Sequence, residues 1–353
     1  MRFGTYYFFQ APPGHDHADI IRRELRQIEW TEELGFDSIW LTEHHFIEYG
    51  LSVDPATLAA AAAARTSRIR LGLAAAIVPF HHPLRLAEQM ALVDIISNGR
   101  LDMGVGRGNR PVEFHGYHVP QQENRERFDE AMEILVRAWT EERVRFHGRF
   151  YTVPEARVIP KPVQRPHPPI YQVCVSKDGI ENTALKGWAM LNSILHGSPS
   201  VLAQNRDTYV EALKKAGREA QIPELLDRWG VSRQIYVAPT DREALAEARE
   251  PEMWYQSSFR KFVIPERIED AHPSLQPGFR AFAERLDKVT WDDLVRDRTL
   301  ICGSPDTVAA QIDEMRQMGV GQVLCWMNFG GLAQDKVRRS MELFAREVMP
   351  RFR

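Results

Sequence analysis

Residues 34–64 read LGFDSIWLTEHHFIEYGLSVDPATLAAAAAA, and they hold one complete unit of the pattern that decides the fold. Gly35 stops a helical pattern running from Ile20 to Leu34, because glycine takes the left-handed geometry of a helix end without a Cβ penalty. Phe36 to Leu41 is a short apolar run of strand length. Asp54 and Pro55 then open a second helix, Ala56 to Ala64, with Asp54 as N-cap and Pro55 at the first helical position. A polar loop containing Glu43, His44 and His45 lies between strand and helix.

The same alternation recurs along the chain. Strands are expected at Phe3–Phe9, Ile69–Val78, Arg100–Val105, Ile170–Val175, Met190–Leu195, Val231–Val237 and Gln322–Met327. Helical patterns occupy Leu84–Ile96, Asn124–Trp139, Ile180–Gly187, Val201–Ala216 and Thr307–Met318. Strands separated by helices pair in parallel through right-handed crossovers, and about eight such units predict an α/β fold closed as a single-domain (β/α)8 TIM barrel over 1–353. Two insertions interrupt it. Arg143–Lys161 contains a hairpin-like run, and Phe259–Val289 is expected to form a mobile lid over the active site.

The formal charge of −3 gives no basic field for nucleic acid or an anionic membrane. Cys174, Cys302 and Cys325 are an odd, scattered set that suggests neither disulfides nor a zinc knuckle. With neither a signal-peptide core at Met1–Tyr6 nor an apolar run long enough to span a bilayer, a reducing cytoplasm is expected.

In a (β/α)8 barrel the chemistry sits at the carboxyl ends of the strands, and Glu43, His44 and His45 fall there, after Leu41. Such a cluster can move protons, bind a metal or simply satisfy a buried loop. A metal needs further ligands, and His81-His82-Pro83 is the only obvious reserve, so none is expected. His81 reads as part of a helix start, while His82 could line the pocket. The stretch Gly104-Val105-Gly106-Arg107-Gly108-Asn109-Arg110 fails the dinucleotide fingerprint, because Asn109 stands where its third glycine belongs. It leaves a bare backbone rim that a flat ligand can approach, with Arg107 able to grip a phosphate or form an ion pair. Ser176 falls at a helix N-terminus, where free N–H groups attract anions, although N-capping alone accounts for a serine there. Small residues around Ala74 and Ala75 leave room for a planar ring or serve close packing.

These pieces occur in a known order. Gly35–Gly50, Leu73–Gln89 (LAAAIVPFHHPLRLAEQ), Ser97–Gly108 (SNGRLDMGVGRG), Asn124-Arg125 and Gly303–Ile312 (GSPDTVAAQI) resemble the bacterial luciferase-like flavin-dependent monooxygenases, most of all the luciferase α subunit. The resemblance implies a barrel that receives reduced FMN (FMNH2) from a separate NAD(P)H:flavin reductase and reacts it with O2 to a C4a-hydroperoxide. A small apolar substrate is then oxygenated. It implies His44 as the catalytic histidine, a cis peptide at Ala74-Ala75 beneath the flavin, phosphate contacts from Arg107 and Ser176, and a homodimer or luciferase-like dimer. Asn124, Arg125 and Gly106 join the expected cofactor site. Gly106 replaces the reactive cysteine of light-emitting α subunits and Val175 an acidic residue, so light emission is not inferred.

Imidazole titrates near neutrality, so His44 is expected to act as acid/base, oriented by Glu43 or His45. Phe8, Phe46, His82, Trp254 and Tyr255 are the expected substrate lining. Two other readings stand beside this one: a deazaflavin F420-dependent hydride-transfer oxidoreductase, and a noncatalytic flavin-binding subunit, which retention of His44 argues against.

Overall fold

The computed structural model describes residues 1–193 and 200–353. Eight strands form a closed parallel ring: β1 (Arg2–Tyr7), β2 (Ser38–Leu41), β3 (Arg70–Leu73), β4 (Leu101–Gly106), β5 (Ile170–Val173), β6 (Ala189–Ser193), β7 (Gly230–Val237) and β8 (Gln322–Trp326). Each pairs with the next, and β8 closes on β1 with Arg2 opposite Gln322 and Thr5 opposite Cys325. This is the expected (β/α)8 barrel with surrounding helices. The strand predicted at Met190–Leu195 ends, within the described residues, at Ser193; Ile194 and Leu195 lie outside them.

The opening unit folds as its residues dictate. The helix His17–Glu33 ends before Gly35, whose φ is +80°. Asp54 caps Pro55–Arg65 by accepting from the Ala56 and Thr57 amides at 2.9 and 3.1 Å. Trp40 of β2 fills the barrel interior because its neighbours on both sides leave room. A Cβ on Gly4 would lie 2.9 Å from the indole, and one on Gly72 would lie 2.3 Å from it. Burying one indole of roughly 200 Å2 contributes about 4–6 kcal/mol of hydrophobic transfer, which makes these glycines part of the core design.

Three features depart from the sequence reading. The predicted third strand is broken after Leu73, and a short piece, Ala76–Ile77, continues it by pairing with the end of β4. The break contains a cis Ala74–Ala75 peptide. Leu300–Gly303 is an unforeseen strand pairing with the outer half of β7. A helix, Asp241–Val263, runs through Pro251, so residue 259, where the lid was expected to begin, belongs to that helix. The rest of that segment carries the helix Gln276–Leu286. Val144–His147 and Thr152–Ala156 make an antiparallel ribbon outside the barrel. No helix among the described residues is long and apolar enough to cross a membrane.

Candidate active site

The loop leaving β2 is tied down before it delivers its imidazoles. The Thr42 amide donates to the Tyr7 carbonyl, its hydroxyl lies 2.6 Å from that of Ser52, and the His44 amide donates to the Ser52 carbonyl. His44 then lies parallel to Phe8 (5.5 Å between centroids, 15°) and edge-on to Tyr49 (5.4 Å, 75°). Gly50 leaves the imidazole its space, since a Cβ there would stand 3.1 Å from both His44 Cβ and Cδ2.

The partner of His44 is a residue the sequence reading did not single out. Its Nδ1 lies 2.9 Å from Oε1 of Glu113, whose side chain is almost wholly buried. That same Oε1 accepts from the His45 amide at 3.2 Å, so it serves as an acceptor and holds the imidazole proton on Nδ1. Nε2, without a protein partner among the described residues, is left to take or give a proton. Glu113 comes from a six-residue helix, Pro111–Gly116. Proline at its first position was the available signal, but six residues are too few to display a helical period.

Glu43 and His45, the expected orienting groups, turn toward each other instead of toward the His44 ring. Glu43 accepts from His45 Nε2 (2.9 Å), His81 Nε2 (2.8 Å) and the Ile77 amide (2.8 Å). Burial pushes this carboxyl up, yet the hydrogen bonds from His45 and His81 outweigh it and hold Glu43 below the ordinary carboxylate range. His81 is raised in turn: burial lowers it, and Glu43 overcompensates. Tyr117 completes the network, its hydroxyl 2.9 Å from His45 Nδ1. These residues fasten the β2 loop to the segment after β3 and so position His44 indirectly.

On the other side of the mouth are the residues expected to hold a cofactor. Arg107 follows β4 and has no side-chain hydrogen bond or ion pair among the described residues. Burial, and then the neighbouring charge of Arg125, push its guanidinium down. Its Nη2 is 3.9 Å from where a Cβ on Gly179 would be, beside the N-terminus of the helix Lys177–Lys186. Ser176 caps that helix by accepting from the Gly179 amide at 3.2 Å. Two guanidinium groups and a helix N-terminus with no matching anion on Arg107 are the donor set a phosphate requires. Asn124 donates to the Gly108 carbonyl at 3.2 Å and braces this loop, while Arg125 stands 3.6 Å from Asp178. Ala75 and Gly106 are brought together, a Cβ on Gly106 reaching 3.3 Å from that of Ala75. The Tyr6 hydroxyl donates to the Ala74 carbonyl at 2.8 Å. A phosphate grip beside small residues fits a flat ring with a phosphorylated tail.

Of the expected substrate lining, Phe8 and Tyr255 gather with Trp326 at the barrel mouth: Phe8 stacks on Trp326 at 4.2 Å and Tyr255 meets it edge-on at 4.8 Å. Phe46, His82 and Trp254 lie apart from His44. Phe46 is exposed, packed over Gly116 and Tyr117, and its φ of +67° carries it outward. His82 precedes the helix Pro83–Ile96 and faces Tyr151, so of this histidine pair it is His81 that joins the network. Trp254 borders a cleft of about 480 Å3 with Pro12, His15 and Lys261.

The family model of the luciferase-like monooxygenases matches residues 1–322. Within 222 aligned residues the chain is 30% identical to the uncharacterized protein y4vJ of Sinorhizobium fredii, covering 63% of each chain. It is 26% identical to the oxygenase component of the flavin-dependent trigonelline monooxygenase of Acinetobacter baylyi, over 100% of this chain and 96% of that one. The crystal structure of monooxygenase RslO1 from Streptomyces bottropensis superposes with a TM-score of 0.86 at 29% identity over 100% of both chains. With the barrel, the histidine at its mouth and a family match over nearly its whole length, the chain belongs to the luciferase-like monooxygenase family, as a flavin-dependent monooxygenase.

Proposed function

We propose that the chain is the oxygenase of a two-component system. It takes reduced FMN released by a separate NAD(P)H:flavin reductase and, with O2, transfers one oxygen atom to a small, largely apolar organic substrate. The observation that carries this reading is the His44–Glu113 pair, set in an aromatic wall at the strand ends that also carry Arg107, a guanidinium without an ion pair among the described residues. Arg107, Arg125 and Ser176 would hold the phosphate of FMN, with Ala74, Ala75 and Gly106 on the side of its ring. When bound reduced, the flavin supplies the electrons that activate O2. His44 Nε2 moves the proton, and Glu113 keeps it in the tautomer that can do so. Phe8, Trp326 and Tyr255 keep water from the reacting centre. The segment 259–289 is proposed as the lid that closes this mouth.

Oxygen uptake with chemically reduced FMN across a panel of small organic compounds tests the assignment, with products scored for the gain of one oxygen atom. Hydride transfer to or from a deazaflavin without oxygen uptake would replace it.

Two substitutions probe the two sides of the mouth. Arg107→Ala is expected to weaken FMN binding roughly 10- to 100-fold while leaving riboflavin almost unaffected, because the loss is confined to charge-assisted bonds with the phosphate. Equal losses for both ligands would place the phosphate elsewhere. Glu113→Gln is expected to lower kcat at least about tenfold, since the amide can offer His44 an N–H and stabilise the wrong tautomer. Flavin affinity measured by fluorescence quenching should not move.

A further inference from the structure

Arg110 is a buried cation that the assignment above does not use. It is 8% exposed, it precedes the helix that carries Glu113, and its Nε has no hydrogen-bond partner. Among the described residues its side chain has no hydrogen bond and no carboxylate within ion-pair distance. What surrounds it is aromatic. The guanidinium carbon lies 5.0 Å from the centroid of Phe259 and 5.9 Å from that of Tyr49. Burial raises the hydroxyls of Tyr6, Tyr49 and Tyr255, and the charge of Arg110 acts on each in the opposite direction. Tyr49 is the same ring that meets His44 edge-on at 5.4 Å, so one aromatic side chain separates this cation from the proposed acid/base.

Ring faces stabilise a guanidinium in part, but they accept none of its in-plane N–H bonds, and a desolvated cation left without an anion is unfavourable. A planar fork of donors with no protein acceptor is complementary to a carboxylate.

We infer that Arg110 is the substrate-recognition residue of this mouth, and that the substrate is a flat, mainly apolar organic acid whose carboxylate binds Arg110 while its body lies among Tyr49, Tyr255 and Phe259. The role as substrate contact rests on the oxygenase reading; the carboxylate site itself does not. Binding to the FMN-loaded protein, followed by thermal shift and tryptophan fluorescence, uses benzoate, cinnamate and naphthoate as probes beside their neutral amides. The acids are expected to bind the wild type at least about tenfold more tightly than the amides, and Arg110→Met to erase that preference by a roughly 10- to 100-fold loss for the acids alone. Arg110→Met should retain FMN affinity and melt no lower than the wild type, because it removes an uncompensated buried charge. Arg110→Lys should restore part of the acid preference.

Equal binding of acids and amides by the wild type would overturn the inference. So would a parallel loss of FMN affinity in Arg110→Met, which would assign Arg110 to the flavin. Turnover of the acids unaffected by Arg110→Met would also end it while leaving the oxygenase reading intact. Arg110-dependent binding of acids in a protein that takes up no oxygen would uphold the site and remove the oxygenase reading.

Discussion

Replacing His44 by alanine is expected to slow oxygenation of substrate at saturating reduced FMN by roughly 100- to 10,000-fold, the range spanned by loss of a positioned general acid or base. The expectation is that large because no neighbour can substitute. The Glu113 carboxylate is engaged by the His45 amide, Glu43 is engaged by His45, His81 and Ile77, and the nearest rings, Phe8 and Tyr49, lack an imidazole's readiness to exchange a proton near neutrality. The fold should tolerate the change. His44 lies at the mouth with its side chain 12% exposed, and Glu113 keeps its bond to the His45 amide. Flavin affinity should also survive, since Arg107 and the Ser176 helix supply the proposed grip from other strands. Single-turnover kinetics make the test: slow substrate oxygenation with unchanged FMN affinity, and partial rescue by added imidazole, are expected. Wild-type turnover in His44→Ala would remove the acid/base role.

The barrel was legible in the sequence for a physical reason. Strands buried on both faces favour apolar runs, and most ring strands carry a short one, such as Ile39–Leu41 and Val323–Trp326, although β7 also buries Ser232, Arg233 and Gln234. Elements governed by local conflict were not. Prolines that normally interrupt regular structure stand inside it here, Pro154 in the strand Thr152–Ala156 and, more consequentially, Pro251 in the helix Asp241–Val263. That helix holds because tertiary packing of Tyr255 and Phe259 overrides the local preference. Leu300–Gly303 pairs with β7 alone and borders the ring instead of closing it, so the alternation of eight units does not call for it.

The site divides the same way. Which residues stand at strand ends follows from chain order, and that much placed His44, Arg107 and Ser176 at one mouth. Which way a side chain turns does not follow. Glu43 is adjacent to His44 in sequence yet bonds His81, whereas Glu113, 69 residues away, bonds His44. Arg110 escaped notice because an unpaired charge is visible only once its surroundings are known.

A second large effect is expected at a residue that carries no chemistry, Gly104→Ala. Gly104 lies in β4 against β3, and a Cβ there would fall 1.6 Å from the Leu73 carbonyl oxygen and 2.7 Å from its carbon. Both are backbone atoms of a neighbouring strand, so no rotamer change relieves the contact and the sheet itself must move. A loss of about 3 kcal/mol or more is expected, at the upper end of what overpacking costs, read as a fall in denaturant midpoint without a change in slope. Gly106, two positions on, provides the contrast. Its added methyl would meet side chains, Ala75 Cβ at 3.3 Å and Ile77 Cδ1 at 3.4 Å, which can yield by small shifts. Gly106→Ala should therefore cost under about 1.5 kcal/mol in stability, but it narrows the side of the mouth proposed for the flavin ring and should weaken FMN and riboflavin alike. If Gly104→Ala melts like the wild type, β3 and β4 are not held at this separation; if Gly106→Ala leaves both ligands unaffected, the ring does not lie beside it.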